Sequence, residues 1–157
     1  MGAHEAGWNA AAEESRAVAP PVDLQRLLAQ TDIPLLRGLS KRHLRRVARL
    51  AELRRYVGSK PLFLAGSRGD AFYIILDGSA EVQLADGSTV PLQPGDYFGE
   101  LALLDGASRS ATVSAVGELT TARIARSAFL KLLREEPAIA VGLLPGLVGI
   151  VRELQGT

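Results

Sequence analysis

Apolar and polar positions change period twice along the chain, and the two changes divide it. Leu24, Leu27 and Leu28 recur at helical spacing behind Asp23, which is placed to cap them. After the turn-rich TDIPLLRGLS, Ser40 precedes a second helical stretch, KRHLRRVARLAEL. Its Leu44, Val47, Ala48, Leu50 and Ala51 form an apolar stripe, while Lys41, Arg42, Arg45, Arg46 and Arg49 fill much of the rest. From Tyr56 the period shortens to that of strands: PLFLAG, AFYIILDG, SAEVQLADG, STVPLQPGD, and later SATVSAVG and ELTTARIAR. Asp77-Gly78 and Asp86-Gly87 read as hairpin turns, and Pro61, Pro91 and Pro94 suit strand starts and edges. Beyond Arg126 the helical period returns. Ser127 is placed to cap AFLKLLREE, Pro137 opens PAIAVGLL, and Pro145 fits the first turn of a last helix with Leu147, Val148, Ile150, Val151 and Leu154 on its apolar side.

Helices, then strands, then helices predict a fold that is mainly β with flanking helices: an eight-stranded jelly-roll-like β-barrel with N-terminal and C-terminal helices. The expected layout is a mobile leader over 1–21 ending in Pro20-Pro21, N-terminal helices over 22–55, a β-roll over 56–126, and C-terminal helices over 127–157.

Composition narrows the chemistry. A chain of 157 residues suits one hydrophobic core, and 47% hydrophobic residues are too many for a disordered tail. With no cysteine, disulfides, thiolate metal sites and cysteine nucleophiles are excluded, and a cytoplasmic location fits. A net charge of +1 argues against nucleic-acid affinity driven by overall charge, so DNA is not an expected partner and the basic helix reads as a solvated face. Of the two histidines, His4 falls in the leader and His43 on the basic helix, so neither sits in a strand where a metal could gather ligands. Asp70, Asp77, Asp86, Asp96 and Asp105 all neighbour glycine or small residues and read as turn formers. No serine has a histidine placed to activate it, so no enzyme, no catalytic residue and no metal site are expected. The uncharged run Pro137 to Val151 is broken by Gly142, Pro145 and Gly146, and no membrane-spanning segment is expected.

The concentrated chemistry lies in FGELALLDGASRSATV, residues 98–113. Gly99 precedes a short helical run whose first amides have no partner within the helix and attract an anion. Gly106, Ala107 and Ser108 let backbone approach closely, Arg109 supplies fixed donors and one positive charge, and Ser110 adds a hydroxyl. Together they describe a cradle for one phosphate. Glu100 would be repelled by that phosphate unless it accepts a hydrogen bond from something attached to it, and a ribose hydroxyl is such a donor. A phosphate folded close to its ribose is a cyclic nucleotide. The plainer reading also stands: Glu100 caps the helix or pairs with Arg109, and Gly99 is a turn glycine.

The same stretch resembles the phosphate-binding cassette of the cyclic-nucleotide-binding domain family, that of the regulatory subunits of cAMP-dependent protein kinase and the bacterial catabolite activator proteins. The similarity extends over residues 30–140, through IPLLRGLSKRHLRRVARLAEL upstream and FLKLLREEP downstream. It implies that Gly99 and the amides near Leu101, Ala102 and Ser110 hold the phosphate, that Arg109 pairs with its exocyclic oxygens, that Glu100 accepts the ribose 2′-OH, and that Ala111 packs beneath. Ser110 leans towards cAMP, with cGMP as the alternative. Two departures stand out. No aromatic follows Phe129, so a base would be capped by aliphatics such as Leu143, Leu144, Leu147 or Val148, and the 157 residues carry no helix-turn-helix effector after the domain, so the domain is expected either to stand alone or to be a fragment. The resemblance implies a cyclic nucleotide sensor whose C-terminal helices repack on binding and meet an effector or a second copy. The alternative is a protein-interaction module of the same fold with little nucleotide affinity.

Overall fold

The computed structural model describes residues 16–18 and 24–156. The leader expected over 1–21 lies outside these residues except for strand β1 (Arg16–Val18), as does the Asp23 cap. Helix α1 (Leu24–Gln30), a 3-10 turn (Pro34–Leu36) and helix α2 (Lys41–Ala48) precede strands β2 (Glu52–Tyr56), β3 (Pro61–Phe63), β4 (Ala71–Gln83), β5 (Thr89–Leu92) and β6 (Tyr97–Phe98). Helix α3 (Ala102–Asp105) then leads to β7 (Thr112–Ala125), and α4 (Arg126–Glu135), α5 (Pro137–Gly142) and α6 (Leu144–Leu154) follow.

The β core with flanking helices is as expected, but the eight-stranded closed barrel is not. Among the described residues there are seven strands in one antiparallel sheet of order β1-β2-β7-β4-β5, with β3 on β7 and β6 on β4. The outer strands β1 and β5 do not pair with each other, so the sheet is open. The count differs because two glycines expected to end strands lie inside them. Gly78 has φ 84°, but the chain runs straight on: Asp77 pairs with Thr120 and Gly78 with Leu119 across a register shift. A Cβ at Gly78 would come within 2.2 Å of the Glu118 carbonyl oxygen, so this is a bulge pressed on its neighbour and not a turn. Gly117 likewise sits within β7. Asp86-Gly87 does make the hairpin between β4 and β5, where Gln83 pairs with Thr89.

The run Ala71–Ile75 is apolar without interruption because it is buried on both faces. Phe72 and Ile74 join the helical side, with Leu28, Leu35, Val47, Phe129, Leu132, Ile139 and Leu143. Ala71, Tyr73 and Ile75 face the interior of the roll, with Leu62, Phe63, Val113 and Leu119. Ser40 caps α2, its Oγ accepting the His43 N–H at 3.1 Å. Ser127 does not cap α4, which starts one residue before it and has Ala125 at its cap position. Glu136 gathers Arg42, His43 and Arg46 of α2 at 3.4, 3.5 and 2.9 Å, which ties the basic helix to the end of α4.

Pro137–Leu154 is apolar enough by length and composition to cross a membrane, with mean hydropathy 1.6 over 18 residues. Here it is two helices broken at Leu143. Its inner face meets the 3-10 turn at very short range: a Cβ at Gly146 would lie 2.3 Å from the Pro34 carbonyl oxygen and 2.6 Å from that of Leu35. Its outer face leaves Val141, Leu144, Val148, Val151 and Leu154 at least half exposed.

Candidate functional site

A cavity of about 510 Å³ opens between the roll and the loop that joins β6 to β7. Gly99, Glu100, Leu101, Ala102, Arg109, Ser110 and Ala111 all line it, so every site residue expected from the sequence meets in one place. Its volume lies within the ~300–1,000 Å³ range of small-molecule sites.

The loop is held as an extra piece of ladder. Arg109 N–H donates to the Ser67 carbonyl at 2.7 Å, Gly66 N–H to the Arg109 carbonyl at 2.8 Å, and Gly69 N–H to the Ala107 carbonyl at 3.0 Å. This pinning turns the Arg109 side chain inward, where it is only 8% exposed. Its Nη2 donates to the Ala71 carbonyl at 2.7 Å, and its guanidinium carbon lies 4.1 Å from the centre of the Phe63 ring, a cation–π contact. Phe98 stacks on Tyr73 at 5.1 Å and meets Phe63 at 5.7 Å, which completes an aromatic wall.

Arg109 is short of acceptors. Its Nε is buried with no hydrogen-bond partner among the described residues, and the Asp70 carboxylate is 3.8 Å from its Nη2. Burial lowers its pKa, with Tyr73 and Asp70 opposing, although an arginine stays protonated in proteins. A buried cation held mainly by a carbonyl and an aromatic face is suited to an incoming anion. The amides of Leu101, Ala102 and Ser110 likewise have no acceptor among the described residues.

Glu100 does not pair with Arg109. Its Oε2 accepts the backbone N–H of Leu35 at 3.1 Å, reaching out to the 3-10 turn. Burial raises its pKa, and the Leu35 N–H offsets part of that rise. Gly99 is more than a turn glycine. At φ 85°, a Cβ there would lie 2.7 Å from both the Ala71 carbonyl oxygen and Arg109 Nη1. Gly99 therefore makes room for the arginine.

Phe63, Phe98 and Val82 also line the cavity and were not singled out from sequence. Phe63 and Phe98 had a signal in PLFLAG and DYFGE, where an aromatic falls on the inward period of a short strand. None of the aliphatic residues expected to cap a base lines the cavity. Leu143 is buried in the helical core, Leu147 packs against it, and Leu144 and Val148 are exposed. No group of three histidine or acidic side chains able to hold a metal occurs among the described residues.

A family model described as "Cyclic nucleotide-binding domain" matches residues 53–136. The chain is 40% identical over 111 residues to a cAMP-dependent protein kinase regulatory subunit of Mycosarcoma maydis, covering 65% of this chain and 21% of that one. Curated relatives of this kind are longer proteins, and the chain spans about a fifth to a third of their length. The N-terminal domain of a transcriptional regulator from Streptomyces coelicolor A3(2) has the same fold, with TM-score 0.71, 22% identity, and coverage of 83% of this chain and 96% of that one. The regulatory domain of Toxoplasma gondii PKA, solved with cAMP, aligns at TM-score 0.60 and 30% identity over 70% of this chain and 44% of that one. Further relatives are cAMP-dependent protein kinase regulatory subunits of Colletotrichum orbiculare, 35% identical over 104 residues, and Aspergillus fumigatus, 36% identical over 104 residues, each covering 65% of this chain.

Proposed function

This chain belongs to the cyclic nucleotide-binding domain family, and we propose that its cavity binds a cyclic nucleotide, cAMP in first place, and that it serves as a non-enzymatic sensor domain. The observation that carries the reading is Arg109, a buried guanidinium with an unpartnered Nε beside backbone amides that have no acceptor. A cyclic phosphate brings one negative charge and two exocyclic oxygens, which meets that deficit. Glu100 takes the ribose 2′-OH, Leu101, Ala102 and Ser110 give their amides, and Gly99 and Ala111 leave the phosphate room. Ser110 favours cAMP over cGMP. A cytoplasmic location goes with this reading.

The response runs through the helices. Glu100 holds the N–H of Leu35, and the Leu35 carbonyl lies against Gly146 of α6. A ligand hydroxyl that occupies the carboxylate competes with Leu35 and loosens the seat of α6. Leu103, buried together with Phe129 and Leu132, transmits the movement of the loop to α4. Ligand binding is thus coupled to the packing of the C-terminal helices, because the two packings hold Glu100 differently.

A second reading rests on the exposed stripe Val141, Leu144, Val148 and Val151, which suits contact with an effector or a second copy. In that reading the fold serves for contacts and the cavity has little nucleotide affinity. Calorimetric titration separates the two, using protein first unfolded and refolded to strip any carried ligand. Micromolar or tighter binding of cAMP, with amide shifts beyond Pro137, supports the sensor. No heat with cAMP or cGMP leaves the contact module, and binding with fixed shifts beyond Pro137 removes the helical response.

A further inference from the structure

A second cavity, of about 410 Å³, lies against the loop before β4, the end of β7 and the first turns of α4. Its lining shares no residue with that of the first. Four arginines, Arg68, Arg123, Arg126 and Arg134, face one carboxylate, Asp70. Arg126 and Arg134 are two helical turns apart on α4, and Arg68 and Arg123 come from separate elements, so the cations converge by tertiary folding.

Their charges are poorly answered. Arg126 Nη2 donates to the Leu104 carbonyl at 2.9 Å, while its Nε is buried with no acceptor among the described residues. Arg123 reaches the Tyr73 hydroxyl at 3.3 Å, a neutral partner. Asp70 is 3.7 Å from Arg123 and 3.8 Å from Arg109, so one carboxylate serves two guanidiniums and hydrogen-bonds to neither. Arg68 and Arg134 are exposed and have no acidic partner among the described residues. The ten-residue α4 opens on the same space, with Ser127 in the lining; the Arg126 N–H donates to the Asp70 carbonyl at 2.8 Å, and no side chain caps the amides that follow.

We propose that this arginine-lined cavity is a second anion site that takes a phosphate compound carrying two or more negative charges, such as a pyrophosphate group. Four guanidiniums against one carboxylate leave an excess that a singly charged cyclic phosphate would not balance. Planar N–H forks arriving from three directions match an anion with several tetrahedrally placed oxygens better than a flat carboxylate. The concave shape favours a small molecule over an acidic chain laid across a surface.

The test is titration of the full chain with inorganic pyrophosphate at constant ionic strength, following the arginine Nε–H signals by NMR. Saturable shifts are expected at Arg123 and Arg126, with the Leu101 and Ala102 amides unmoved. The double variant Arg68→Ala/Arg134→Ala changes only exposed side chains and should fold normally. It should bind pyrophosphate about tenfold or more weakly. The proposal is overturned if the shifts never saturate and sodium chloride reproduces them, or if the double variant binds equally well. It is also overturned if the shifts gather at Leu101 and Ala102, or if an oligoglutamate peptide binds more tightly than pyrophosphate. None of these outcomes depends on whether cAMP binds.

Discussion

The carboxylate of Glu100 accepts the N–H of Leu35 at 3.1 Å, joining the rim of the first cavity to the 3-10 turn on which α6 rests. The same carboxylate that serves the fold is the group proposed to meet the ligand's ribose. The variant Glu100→Gln keeps an oxygen for Leu35 and removes the buried charge. It should match or exceed the wild type in thermal stability without ligand while losing about tenfold or more in cAMP affinity, because a charged acceptor makes the stronger hydrogen bond to a hydroxyl. Melting curves and calorimetry check the two halves separately.

Acidity should move stability and affinity in opposite directions. Burial raises the Glu100 pKa above the ordinary glutamate value of 4.5. The folded state therefore holds its proton more tightly than the unfolded state. The stability contributed by that proton is fully present below about pH 4.5 and is lost as pH rises through the raised value. With Glu100 in its proposed role as acceptor of the ribose hydroxyl, cAMP affinity should fall as pH drops through the same window. A pH series of melts and titrations should give wild-type slopes that Glu100→Gln flattens in both measurements.

Arg109→Ala should abolish the rise in Tm that cAMP produces, because a ligand stabilises only the state it binds. Truncating one member of a buried charged pair typically costs about 2–5 kcal/mol, or roughly thirty-fold or more in Kd. The variant should still unfold cooperatively without ligand. Among the described residues its buried cation donates to the Ala71 carbonyl and leaves Nε unpartnered. Differential scanning fluorimetry with and without cAMP reads both effects.

Two glycines of α6 should respond with opposite sign. Alanine favours a helix over glycine by about 1 kcal/mol. At Gly149 nothing lies within 4 Å of an added Cβ, so Gly149→Ala should stabilise by up to about that amount. At Gly146 the added Cβ meets the backbone oxygens of Pro34 and Leu35 at 2.3 and 2.6 Å. Gly146→Ala should therefore destabilise by about 1–3 kcal/mol, since backbone cannot swing aside as a side chain can. Urea denaturation of the two variants tests the pair.

That Gly99, Glu100, Leu101, Ala102, Arg109, Ser110 and Ala111 line one cavity was legible in the sequence because they belong to one short loop. Leu35 was not legible as the partner of Glu100, since it lies 65 positions away and contributes only a backbone N–H. Gly78 was misread for a different reason. A hairpin turn and a bulge both need positive φ, and only the pairing of Asp77 with Thr120 tells them apart. Closure of the sheet depends on whether β1 and β5 meet, and no periodicity within either strand encodes that. The apolar face of α6 was visible, but not which side the close approach of Gly146 would turn inward.

The long ladder between β4 and β7 also bears on how the chain is made. It pairs Gln83 with Thr112 at one end and Ala71 with Ala125 at the other, and the stretch from Gly99 to Ala111 lies in the loop it encloses. Contacts so far apart in sequence form only after the entropy of closing that loop has been overcome. During synthesis these loop residues leave the ribosome before the far end of β7, which pairs with Ala71, can complete the ladder. The stretch FGELALLDGASRSATV is then present without the completed β4–β7 ladder that frames the cavity, which closes only once Ala125 has emerged.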